Sequence, residues 1–284
     1  MRGLAKNQSQ NMGGPRCDAA CPCPASSLVP RGTGRGFTLV DVVVSMGVIA
    51  VLIGLLIPTI GSVAETARRV ACQSNVRQIG LGLVMYADQN QGYLPASVYL
   101  PLDPRSRASD RPEDMVTLRI GKTESPTGQS LWDGLGLLFA QDFLPAGKVF
   151  YCPSHRGESP YARYAPEFNE SDFEIIGNYH FRGAGPTGGW GWQTADPLLR
   201  PLTRNLYMID PSQSSLVADG MRVRSDVSHK IGANFFRADM TVTWYNDPAG
   251  NLATSLPDDK AEATASLVME RWTWFDQQAS GEDE

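Results

Sequence analysis

The chain has 284 residues, 42% of them hydrophobic, with 28 glycines and 20 prolines. That composition excludes a wholly disordered protein and leaves room for one loop-rich globular domain beside a membrane segment. The net charge of -5 hides an asymmetry: of 25 basic and 30 acidic residues, five basic (Arg2, Lys6, Arg16, Arg31, Arg35) and one acid (Asp18) precede Phe37, leaving 20 against 29 in the remainder. An acidic domain without a basic cluster excludes nucleic acid as a partner.

Residues 1–36 read as a polar leader. Its three cysteines, Cys17, Cys21 and Cys23, have neither a fourth ligand nor a hydrophobic pattern beside them, so no metal is expected there. From Val42 to Ile60 the chain runs for 19 residues without a charge, enough helix to cross a bilayer, and residues 37–60 are read as a single transmembrane helix in contact with membrane lipid. Basic residues before the run place the N-terminus in the cytoplasm and the acidic remainder in the periplasm or its equivalent. Asp41 at the edge of this run needs a partner, because an ionised group near hydrocarbon is costly. Pro58 removes an N–H from the helix and is expected to bend it.

Beyond Pro58, apolar residues at Val63, Ala67, Val70, Ala71, Ile79, Leu83 and Tyr86 recur at helical spacing, which predicts an amphipathic extension over 61–92. Helix is expected from Phe37 to about Asp88, with Gly92 and Pro95 stopping it. Residues 93–275 then form the head. Its 100–129 stretch, polar and rich in proline, reads as a surface loop, 130–145 as a short amphipathic helix, 149–154 as an extended segment and 182–205 as a long loop carrying Trp190 and Trp192. The runs 214–220, 232–239 and 240–247 predict antiparallel strands, 265–275 a last strand or short helix, and 276–284 an acidic tail that frays. The fold class is therefore α+β, a long N-terminal helix packed on an antiparallel β-sheet head.

The segment GFTLVDVVVSMGVIAVLIGLLIP, from Gly36 to Pro58, resembles the class III signal of type IV pilins and type II secretion pseudopilins. Glycine, then phenylalanine, an acid five residues after the glycine and a proline 22 after it agree in register. The resemblance implies cleavage after Gly36 and methylation of Phe37 by a prepilin peptidase, and assembly through Asp41 and Pro58 with other pilin-like subunits and an inner-membrane platform. The family's acid is usually glutamate. The shorter Asp41 would be neutralised by the ammonium of Phe37 on its own chain or on a neighbouring subunit. ARRVACQSNVRQIGLGLVMYADQNQGYLP, VFYCPS at 149–154, and the spacing His229-x9-Asp239 are similar to large pilin-like proteins ending in an H-X9-DG segment, as in planctomycete-type bacteria and DUF1559-like chains. The family's glycine is Met240 here, which implies a different turn. A membrane-anchored extracytoplasmic binding or surface protein that does not polymerise is the alternative.

An enzyme is the rival class, but no G-x-S-x-G, H-E-x-x-H, P-loop or Rossmann pattern is present. His229 and Asp239 are a candidate catalytic pair whose spacing equally suits two residues facing across a hairpin. Cys152-x-x-His155 has metal-like spacing without a second pair, so it reads as a structural cysteine and a surface histidine. No cofactor and no metal are expected; for calcium the available carboxylates are Asp210, Asp219, Asp226 and Asp247, with no fixed loop pattern to gather them. Cys72 and Cys152, the two cysteines beyond the apolar run, are the candidate disulfide, with two buried free thiols as the other reading.

Overall fold

The computed structural model describes residues 36–100, 111–123, 125, 127–170, 172–187 and 202–279, without the side chains of 56, 58–60, 62 and 279. The chain divides into two units, one ending at Ile53 and one beginning at Gly54. Helix α1 spans Leu39–Gln89 and stays helical through Pro58.

In the first unit α1 begins with a reciprocal cap. The Thr38 backbone N–H donates to Asp41 Oδ2 (3.0 Å) and the Asp41 N–H donates to Thr38 Oγ1 (3.2 Å), satisfying two of the donors that a helix start leaves orphaned. Asp41 therefore has a partner one residue beyond the expected Phe37 ammonium. Phe37, Leu39, Val40, Val43 and Met46 are all at least 60% exposed. Among the described residues no helix is long and apolar enough to cross a membrane; the uncharged run of the sequence includes four positions whose side chains are outside the described set.

In the second unit the buried face of α1 is Cys72, Val76, Ile79, Leu83, Tyr86 and Ala87. Three-and-four spacing is kept, but the stripe starts later than expected: Val63, Ala67, Val70 and Ala71 are exposed. Gly92 ends the helix at φ 87, its N–H donating to the Ala87 carbonyl (2.8 Å), as a left-handed C-terminal cap requires.

All strands pair antiparallel. One sheet has the order β2-β1-β3, from Leu131–Trp132, Thr117–Ile120 and Ile175–Ile176. Its central strand β1 overturns the reading of 100–129 as a loop. Arg119 in the middle of TLRI disguises the strand; its buried guanidinium donates to the carbonyls of Phe173 (2.8 Å), Glu170 and Glu167 (2.7 Å) and stacks on Trp132. The larger sheet has the order β4-β7-β8-β9, from Tyr179–Phe181, Ser215–Asp219, Gly232–Arg237 and Val242–Asn246. A two-stranded ribbon, β5 (Gly185–Pro186) with β6 (Leu202–Thr203), brackets 188–201, so Trp190 and Trp192 lie outside the described residues.

The expected helix at 130–145 is strand β2 followed by the short α2, Gly136–Ala140. Residues 147–150 form one 3-10 turn before Tyr151 extends. After α3 (Tyr161–Tyr164) and α4 (Asn251–Thr254), the described residues end in α5, Ala265–Ala279, which runs four residues into the stretch read as a tail. Asp276 holds it there, bonded to Arg182 (2.7 Å) and to the Ser215 N–H (2.7 Å).

Along β4, β7 and β8 the larger sheet is buried on both faces. Phe236 of β8 packs with the α1 stripe in one core, while Phe235 turns to the other side and stacks on Phe275 of α5 at 5.1 Å. Alternation along a strand sends neighbours to opposite faces, and burying each ring contributes roughly 1.5–3 kcal/mol.

Candidate metal centre

Four side chains that the sequence scatters over 158 positions converge between α1 and the larger sheet: Cys72, Cys152, Asp219 and His229. Their ligand atoms all lie within 4.8 Å of one another. Each comes from a different element. Cys72 lies on α1 where the buried stripe begins, Cys152 follows the 3-10 turn, Asp219 ends β7 and His229 precedes β8. All four are sealed, at 0, 5, 2 and 3% exposure.

Every group is held by a second contact. The Cys72 thiol donates to Asp219 Oδ1 (3.0 Å) and lies 3.3 Å from the Tyr179 hydroxyl. Asp219 Oδ2 accepts from the Asn234 N–H (2.7 Å). His229 Nε2 faces Cys152 Sγ at 3.5 Å and Asp219 Oδ2 at 3.9 Å, while its Nδ1 is 3.0 Å from Glu65 Oε1, which also accepts from Ser154 Oγ (2.9 Å). Trp244 covers the imidazole edge-on at 5.6 Å, with Arg69 stacked on the indole.

The electrostatics follow from this crowding. Burial, with the neighbouring thiol and carboxylate, pushes the Cys72 thiol well up. Cys152 moves down, because Cys72 hydrogen-bonds to it and His229 stands beside it against the cost of burial. Burial raises Asp219 to about 7. Burial works against a charged His229, yet its bond to Cys152 and the charges of Asp219 and Cys152 raise it to about 9. The shifts of the four groups are mutual, so they titrate as a unit.

Residues 62–204, half of the chain, match the family model described as "Protein of unknown function (DUF1559)". The chain belongs to the DUF1559 family. No curated protein and no solved structure matches it. The DUF1559 match includes Cys72 and Cys152 and stops before Asp219 and His229.

Several sequence expectations are corrected here. His229 and Asp239 do not face each other: β8 separates them, six residues or about 20 Å of strand. Asp239 sits in the β8–β9 turn, accepting from the Thr241 N–H (3.0 Å) and hydroxyl (2.6 Å). Met240 does not change the turn but adopts the left-handed conformation a glycine would take, at φ 69. Cys152 meets His229 rather than His155, which is outside the four-residue group. The four calcium candidates do not gather. Asp219 faces thiols, Asp226 pairs with Arg222, Asp247 caps α4 through the Asn251 and Leu252 N–H groups, and Asp210 bonds Ser212.

Cys72 and Cys152 do come together, as free thiols. Their partners Asp219, Glu65 and Tyr179 were legible only as an unplaced carboxylate or not at all. No spacing rule covers ligands 80, 67 and 10 residues apart. Gly36 and Phe37 precede α1 in the first unit, and Pro58 is a residue of α1 itself.

Proposed function

We propose that the chain is a pilin-like structural subunit, a pseudopilin of a type II secretion or type IV pilus-like system. In this reading a prepilin peptidase cuts after Gly36 and methylates Phe37, the apolar run anchors the protein in the cytoplasmic membrane with its head outside, and neighbouring pilin-like chains assemble through α1. The observation that carries it is the uncovered surface of the first part of α1: the large apolar side chains from Phe37 to Ile57 are 42–91% exposed, an extent of apolar surface that water does not tolerate without lipid or other helices.

Two further features support it. The reciprocal Thr38–Asp41 cap starts the helix within three residues of Gly36, where the mature chain would begin. The β8–β9 turn, with Asp239 bonding Thr241 and Met240 left-handed, has the conformation that the aspartate and glycine of an H-X9-DG segment would need. A structural rather than catalytic role is supported by the burial of Cys152 and His229, at 5 and 3% exposure, where a substrate does not reach.

Intact mass and N-terminal sequencing of membrane-extracted protein test the processing: N-methylated Phe37 is expected, and a terminus beyond Ile60 would make the segment an ordinary signal peptide. Cross-linking in native membranes separates the alternatives. Pilin-like neighbours bonded through α1 support assembly, whereas a chain without such neighbours is a membrane-anchored binding or surface protein.

A further inference from the structure

We propose that Cys72, Cys152, Asp219 and His229 form a closed, four-ligand zinc site that ties helix α1 to the sheet. The inference does not depend on filament assembly. A tetrahedral zinc with Zn–S near 2.3 Å and Zn–N or Zn–O near 2.0–2.1 Å keeps its ligand atoms about 3.3–3.8 Å apart. Cys72 Sγ lies 3.0 Å from Asp219 Oδ1 and Cys152 Sγ 3.5 Å from His229 Nε2, at or just below that range, and the whole set falls within 4.8 Å, so small rotations of the side chains complete the polyhedron.

The surroundings are those a metal ligand set needs. Glu65 takes the Nδ1 proton of His229 and so leaves Nε2 to face the two sulfurs and Asp219. The Asn234 N–H fixes one oxygen of Asp219 and leaves the other, Oδ1, on the Cys72 side. The backbone of Ser154 hydrogen-bonds to Cys152, as amides do around bound thiolates. Two thiolates and a carboxylate buried together would be prohibitive alone, and a doubly charged cation offsets most of that charge.

Ligand chemistry selects the ion. Two sulfurs exclude calcium and magnesium, and a sulfur–imidazole set with four protein donors suits zinc in a structural role. A Cys72–Cys152 disulfide is the competing state. It would use the two sulfurs but leave unexplained why His229 is oriented by Glu65 towards them and why Asp219 is drawn in beside them.

The test uses the full-length chain extracted from membranes in detergent with an alkylating agent present, followed by metal analysis and mass mapping of thiols. One zinc per chain, with Cys72 and Cys152 alkylated only after chelation, is expected. Replacement of zinc by cobalt should give the visible bands of a tetrahedral ion and a thiolate charge-transfer band. Cys72→Ser and His229→Ala should each abolish stoichiometric retention, Glu65→Gln should weaken affinity 10–100-fold, and His155→Ala should leave it unchanged. Because loss of a buried ligand can itself unfold the chain, the wild-type metal content decides alone: a Cys72–Cys152 disulfide in the extracted chain, or reduced thiols holding well under one zinc per chain, overturns the proposal. Loss of metal in His155→Ala would overturn the assignment of His229.

Discussion

Met240 occupies a backbone position made for glycine. Its N–H donates to the Arg237 carbonyl (3.0 Å) and the Arg237 N–H to the Thr241 carbonyl (2.9 Å), a three-residue hairpin loop whose last residue must be left-handed. A side chain at positive φ costs roughly 1–2 kcal/mol, so Met240→Gly should raise stability by about 1 kcal/mol in denaturant unfolding, part of the gain being returned through the freer unfolded chain. His180 sets a second residue-scale expectation. It is fully buried, with Nε2 on the Pro112 carbonyl (2.7 Å), and burial lowers its pKa to about 4. A depressed folded-state pKa means the unfolded chain binds the extra proton, so this contribution is whole above pH 6.5 and disappears as pH falls towards 4. The loss reaches roughly 3 kcal/mol. Asp133, raised by burial to about 6, works the other way: its contribution is whole below pH 3.8 and disappears as pH rises through 6. The two are separated by comparison with His180→Gln, which shares Asp133 and should lose roughly 3 kcal/mol less than wild type between pH 6.5 and 4.

At the scale of elements, α1 and β8 meet where a helix residue has no side chain. A Cβ built on Gly80 would lie 2.2 Å from the Phe236 ring, inside any real contact. Phe236 is 1% exposed and has nowhere to retreat, so Gly80→Ala should destabilise the head by about 1–3 kcal/mol, despite the better helix propensity of alanine, as measured by urea unfolding. The helix itself was legible from its periodicity, and so were β7, β8 and β9 from their short β-rich runs. The phase of the buried stripe was not, because Val63 and Val70 are as apolar as Val76 and only the position of the sheet decides which of them it covers. Strand β1 was hidden for a different reason: Arg119 makes TLRI look solvated until three carbonyls from 167–173 arrive to satisfy it. Helix α5 stayed open between a last strand and a short helix since ASLVMERWTWF is apolar at both periods; Val268, Trp272 and Phe275, at helical spacing, are the side chains that the second core takes.

For the whole molecule, the apolar start of α1 and the metal-ligand group answer to different demands, and one substitution distinguishes them. Asp41→Ala removes one half of the Thr38–Asp41 cap, which lies wholly within the first unit. The head's melting temperature should stay within a degree or so of wild type, while incorporation into cross-linked assemblies falls; unchanged incorporation would count against a role of Asp41 in assembly. The sequence by itself determined what is local or additive. The uncharged run, the charge asymmetry, the long helix with its Gly92 stop and the α+β class each follow from propensity, periodicity or a count of charges over neighbouring residues. Only the tertiary structure decided the site. Cys72, Cys152, Asp219 and His229 are ordinary residues in four separate segments, and no local rule distinguishes Asp219 from the other aspartates or prefers His229 to His155 as the partner of Cys152. Their meeting depends on the register of β7 against β8 and on the face that α1 turns towards them. That register and that face are settled by which apolar side chains the whole core can bury together, a non-local choice that no window of sequence contains.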